Sequence, residues 1–90
     1  MADSCKKAVV VTGGSRGIGR AVCEAFADPD TLVLFNYNRA ADEAEKTRAL
    51  VAAAGGEAVG LQMDISDESQ VKAFFEEVIS RAGRLDVLVN

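Results

Sequence analysis

Four short apolar runs, at residues 7–12, 31–37, 57–63 and 85–89, alternate with three stretches of helical spacing, and this alternation leaves little freedom of fold. K-A-V-V-V-T and T-L-V-L-F-N-Y are rich in β-branched and aromatic residues and read as strands. Between them, residues 16–27 place Ile18, Val22, Ala25 and Phe26 at helical spacing, with Cys23 in the same pattern as a small buried hydrophobe. Asp28-Pro29-Asp30 stops that helix, because proline cannot continue it and turns the preceding residue away from helical angles. An alanine-rich helix over 40–54 follows, closed by Gly55-Gly56 where a left-handed cap belongs. The third strand, interrupted by Gly60, leads to a helix capped by Ser66 or Asp67. That helix carries Val71, Phe74, Phe75, Val78, Ile79 and Ala82 as a stripe that must cover a sheet. Each helix is then a crossover returning the chain to the same end of a parallel sheet. Right-handed crossovers predict an α/β, doubly wound parallel sheet of strand order 3-2-1-4, with residues 1–90 forming part of one domain.

Composition excludes several function classes. With 49% hydrophobic residues the chain can fill a core, and its net charge of −4 with scattered Lys and Arg argues against nucleic-acid binding. Cys5 and Cys23 are too far apart for a metal-ligand pair, and the absence of His leaves no metal site to complete. No apolar stretch reaches the roughly 20 residues that span a bilayer, and no secretory signal is visible. The expectation is a reduced, cytoplasmic setting with two free thiols, Cys5 lying in a polar N-terminal arm.

The chemistry concentrates in Thr12-Gly13-Gly14-Ser15-Arg16-Gly17-Ile18-Gly19, directly after the first strand. A strand that breaks into a glycine turn and re-enters a helix aims free backbone N–H groups and the positive end of a helix dipole at one point, where a phosphate fits. The turn lacks the Lys-Ser/Thr pair of a Walker loop, so mononucleotide hydrolysis is disfavoured. Its glycines at 13, 17 and 19 also depart from the Gly-x-Gly-x-x-Gly spacing of the general dinucleotide fingerprint.

The pattern T-G-x-x-x-G-x-G resembles the short-chain dehydrogenase/reductase family, and V-T-G-G-S-R-G-I-G-R resembles its 3-oxoacyl-carrier-protein reductase-like members. Met63-Asp64-Ile65 is similar to the family's Asp-hydrophobe pair, and Leu88-Val89-Asn90 looks like the opening of its Asn-Asn-Ala-Gly stretch. The resemblance covers essentially the whole chain and implies the truncated N-terminal part of a Rossmann-like domain. It implies a cofactor site built from Gly13, Ser15, Arg16, Gly17, Ile18 and Gly19 in the turn, and from Tyr37, Asn38 and Arg39 after the second strand. Asp64 and Ile65, which would meet the adenine, and Asn90 complete it. Asp28-Pro29-Asp30 departs from relatives, which usually have a glycine before the second strand.

Where NAD would require an acid after the second strand, the chain has Asn38 and Arg39, and no acid until Asp42. Arg16 and Arg39 can offer planar, permanently charged donors to an adenosine 2′-phosphate, which favours NADP(H) over NAD(H). The alternative for Arg39 is a solvated surface charge, since the family's common arginine lies one position earlier, at Asn38. For Asp64 the alternative is that it only shapes a turn.

Family members transfer a hydride between the nicotinamide and a carbonyl or alcohol, using Tyr, Lys, Ser and a further Asn. By resemblance these lie beyond Asn90, and the sole tyrosine, Tyr37, has no Lys four residues on. The chain alone is therefore expected to be catalytically inactive. It reads as the cofactor-binding portion of a carbonyl reductase acting on small or carrier-bound substrates, its parent a homo-oligomer. A stand-alone, non-catalytic nucleotide-binding module is the second reading. An unpaired fourth strand is expected to make the isolated chain self-associate.

Overall fold

The computed structural model describes residues 6–90, so Cys5 lies outside the described residues. Seven elements follow one another as β1 (Lys7–Val11), α1 (Gly17–Ala25), β2 (Thr31–Tyr37), α2 (Ala41–Ala53), β3 (Glu57–Gln62), α3 (Glu68–Ala82) and β4 (Val87–Val89). The strands form one parallel sheet in the order β3-β2-β1-β4, as the alternation requires.

Side chains alternate across this sheet, so the continuous apolar run of β1 serves two cores. Val9 and Val11, with Val33 and Phe35 of β2, pack beneath Cys23 of α1 and Ala44 and Val51 of α2. Ala8 and Val10, with Leu32 and Leu34, pack beneath Phe74, Val78 and Ala82 of α3. Helices on both faces of the sheet define the Rossmann-like, doubly wound architecture. Among the described residues no buried side-chain polar atom lacks a hydrogen-bond partner.

Several boundaries differ from the sequence expectation, each for a local reason. α1 begins at Gly17 because Arg16 is extended, at φ −159°, and serves as the N-cap. Ile18 and Ala25 are exposed, so the core-facing side of α1 is the buried Cys23 with the partly buried Val22 and the C-cap Phe26, and it excludes two of the four residues expected from spacing. Ile79 of α3 is likewise exposed. Asp67, not Ser66, caps α3 by accepting from the N–H groups of Ser69 and Gln70 at 3.0 and 3.3 Å. β4 starts two residues late because Ala8, whose carbonyl accepts the Asp86 N–H at 2.9 Å, gives its own N–H to the Asp86 carboxylate at 2.8 Å and not to an earlier backbone carbonyl, so only one of the two ladder bonds forms there.

Candidate functional site

The sheet extends from β1 to β2 and β3 on one side and to β4 on the other. The sequence expectation puts the ligand where the winding reverses, at the carboxyl ends of β1 and β4, but the crevice lies at the carboxyl ends of β1 and β2, because the glycine turn after β1 leans toward the end of β2. Its volume is about 570 Å³. Gly13, Ser15 and Arg16 of the turn after β1 line one wall, and Asn36, Tyr37, Asn38, Arg39 and Ala40 line the other. Six of the residues expected at a cofactor site thus meet in one opening: Gly13, Ser15, Arg16, Tyr37, Asn38 and Arg39.

The remaining six do not line it. Gly17, Ile18 and Gly19 form the first turn of α1, which no side chain caps, and the Ile18 side chain is 85% exposed. Gly13 and Gly17 take φ of +73° and +63°, angles that admit glycine readily and most other residues at a cost. Gly19 lies directly against the Gly13 carbonyl, where a Cβ would overlap it. Asp64 and Ile65 sit past the end of β3, with Ile65 exposed. Asn90, just after β4, accepts from the Thr12 hydroxyl at 3.3 Å.

Charge at the crevice is unbalanced. Neither Arg16 nor Arg39 forms an ion pair among the described residues, and no carboxylate lines the opening. Asp64 does shape a turn: its Oδ1 accepts from the Ser66 hydroxyl at 2.7 Å and the Ser66 N–H at 2.9 Å. These bonds, the hydroxyl first, hold its carboxyl below the usual carboxylate range, with a smaller contribution from the charge of Arg39. Its Oδ2 has no partner among the described residues, so turn-shaping leaves one oxygen able to accept.

Sequence reasoning missed the side chains that hold this turn in place. Asn36, buried at the end of β2, accepts the Gly13 N–H at 2.7 Å and donates through Nδ2 to the Met63 carbonyl at 3.3 Å, tying three strand ends together. An amide inside an otherwise apolar strand was the available signal. Thr47 of α2 is fully buried, and its hydroxyl reaches the Gly14 carbonyl at 2.8 Å. Arg20 of α1 donates through Nε to that same hydroxyl at 3.0 Å and through Nη2 to the Ser15 carbonyl and to Glu43. Nothing in the sequence distinguishes Arg20 or Thr47 from ordinary helix residues.

An uncapped helix N-terminus, a turn with free N–H groups and two unpaired guanidinium groups around one open crevice fit an extended anionic ligand of dinucleotide type. The family described as short chain dehydrogenase matches residues 7–90. The chain belongs to the short-chain dehydrogenase/reductase family.

Among its relatives is the short-chain dehydrogenase/reductase homolog YusS of Bacillus subtilis, 38% identical over 93% of this chain and 77% of that protein. Another is the 3-oxoacyl-[acyl-carrier-protein] reductase FabG of Staphylococcus aureus, 39% identical over 93% of this chain and 34% of that protein. A solved metagenomic short-chain oxidoreductase in complex with NADP is 32% identical and superposes with a TM-score of 0.84 over 94% of this chain and 38% of that one. This short-chain dehydrogenase/reductase chain therefore spans about three quarters of the first of these relatives and a little over a third of the other two. Among its described residues, no helix is long and apolar enough to cross a membrane.

Proposed function

We propose that the chain is the NADP(H)-binding portion of an oxidoreductase that reduces a carbonyl substrate of 3-oxoacyl type, small or carrier-bound, by hydride transfer. One observation carries the cofactor preference: Arg16 and Arg39 line the crevice without an ion pair among the described residues, and no carboxylate lines it to accept from the ribose hydroxyls of NAD. A 2′-phosphate supplies the anion that these two guanidinium groups lack. The N–H groups of Gly17, Ile18 and Gly19 at the uncapped start of α1 take the pyrophosphate, Asp64 Oδ2 and the Ile65 backbone meet the adenine, and Asn90 continues toward the nicotinamide side. The NADP complex of the metagenomic relative supports the cofactor, and the Staphylococcus aureus reductase supports the substrate class. Tyr37 belongs to β2 and is the only tyrosine, so the proton donor belongs to a longer parent protein, which we expect to be a homo-oligomer.

Titrating the chain with NADP⁺ and NAD⁺ tests this reading. NADP⁺ binds more tightly, and Arg16→Ala weakens it by about tenfold or more, the worth of a lost charge-assisted hydrogen bond, while NAD⁺ affinity barely moves. Preference for NAD⁺ overturns the arginine argument. A stand-alone, non-catalytic nucleotide-binding module is the second reading, favoured by the fact that the chain accounts for 77% of YusS. The intact mass of the native protein separates the two, since a mass corresponding to this chain alone excludes the longer parent.

A further inference from the structure

Arg20, Thr47 and Glu43 do not line the crevice, yet they converge on the back of the glycine turn. Glu43 and Thr47 stand one helical turn apart on α2, facing the start of α1. The hydrogen-bond circuit has a direction. Arg20 Nε donates to Thr47 Oγ1 at 3.0 Å, so the hydroxyl is left to donate its one proton to the carbonyls it faces, Gly14 at 2.8 Å and Ser15 at 3.1 Å. Arg20 Nη2 donates to the Ser15 carbonyl. It is held there by Glu43, whose carboxylate accepts at 2.8 Å and whose backbone carbonyl accepts at 2.9 Å. The carbonyls of Gly14 and Ser15 are thus both fixed toward α2.

The described chain has no cis peptide bond, and in a planar trans peptide the N–H points opposite to the preceding C=O. Fixing the Gly14 and Ser15 carbonyls toward α2 therefore aims the N–H groups of Ser15 and Arg16 away from it. Neither N–H has a hydrogen-bond partner among the described residues, and both residues line the crevice that Arg39 closes from the far side.

We infer that Arg20 and Thr47, braced by Glu43, are positioning residues that orient the Ser15 and Arg16 N–H groups as a paired donor for the 2′-phosphate of the adenosine half of the cofactor. This inference rests on the dinucleotide reading above. Selectivity then has two layers: the guanidinium groups of Arg16 and Arg39 supply charge, and the clamped peptides supply fixed direction. Fixed donors require no reordering when the anion arrives, which is why preorganisation strengthens binding. A lysine at position 20 keeps the charge but cannot serve Ser15, Glu43 and Thr47 together, because it lacks the planar fork.

The probes are 2′,5′-ADP and 5′-AMP, which differ only in the 2′-phosphate. Thr47→Val, close in shape but without the hydroxyl, lowers the affinity ratio of 2′,5′-ADP to 5′-AMP by about tenfold. Arg20→Lys moves the ratio in the same direction, and Thr47→Ser restores it. On the unmutated chain, saturation with 2′,5′-ADP, but not with 5′-AMP, shifts the amide proton resonances of Ser15 and Arg16 downfield. An unchanged ratio in a Thr47→Val chain of native far-UV spectrum overturns the inference while leaving the cofactor reading intact. If that variant does not fold, the amide titration decides, and stationary Ser15 and Arg16 resonances overturn the inference. Failure of the unmutated chain to bind 2′,5′-ADP at all overturns the cofactor reading and this inference with it.

Discussion

Cys23 lies under the glycine turn with no exposed surface, close enough to Gly14 that a Cβ there would stand 2.8 Å from its sulfur and 2.6 Å from the Phe35 Cβ. Burial pushes the thiol up to about 11, against a small lowering by its own backbone hydrogen bond. A thiolate is the reactive form, so Cys23 in the folded chain stays unmodified by iodoacetamide at pH 8 and reacts once denaturant is added. Peptide mapping reads this directly, and rapid labelling in the native state would contradict the packing. The sequence placed Cys23 correctly as a small core hydrophobe, because a cysteine amid helical apolar spacing with no metal-ligand partners has little else to do. It gave no such account of Arg20, Thr47 or Asn36. Their roles come from partners 23 to 33 positions away in the chain, and no local pattern encodes a contact of that separation.

At the scale of elements, α3 has the most explicit sequence signals. Asp67 caps its first turn and Gly83, at φ +74°, closes its last. The Ser69 hydroxyl first, and then the Gln70 N–H, hold the Asp67 carboxyl below the usual carboxylate range. A carboxyl depressed in the folded state contributes stability that is fully present above its unfolded value, about 3.9, and is lost as pH falls through the lower folded value. Asp67→Ala therefore lowers the thermal midpoint at pH 7, and the gap to the unmutated chain narrows as pH drops below about 3.9. Thermal scans across pH 2 to 7 measure it, and a pH-independent gap would show that the cap does not act through the carboxylate. α1 was less legible. Its spacing suggested that Ile18 faced the core, but the helix is short and its orientation is set by the turn before it, which leaves Ile18 beside the crevice. β4 was overestimated in length because the Asp86 carboxylate takes over a hydrogen bond that a strand would make with its backbone.

For the whole molecule, β1 and β2 are paired on both sides while β3 and β4 are edges, and of the two β4 is the shorter and the more apolar. Leu88 stands in register with Val10, whose side chain packs under α3, yet Leu88 remains 47% exposed. An apolar edge strand with open backbone groups recruits other chains. We expect concentration-dependent association of the isolated chain in sedimentation velocity, and a shift toward monomer in Leu88→Lys, since an edge lysine is a common guard against such pairing. A monomeric profile of the unmutated chain at high concentration would remove the edge as a cause.

The sequence by itself determined the order and type of the elements, the parallel sheet and its strand order, and the glycine turn as the place for an anion. These follow from periodicity, from breakers such as Pro29 and from the handedness of crossovers, all properties of neighbouring residues. Only the tertiary structure decided which side chains of the turn meet the end of β2, how Asp64 divides its two oxygens, and that Arg20 and Thr47 face the back of the turn. The physical reason is that hydrogen-bond direction depends on where distant peptide planes come to lie, and those planes acquire an orientation only when α1 and α2 pack on the same face of the sheet.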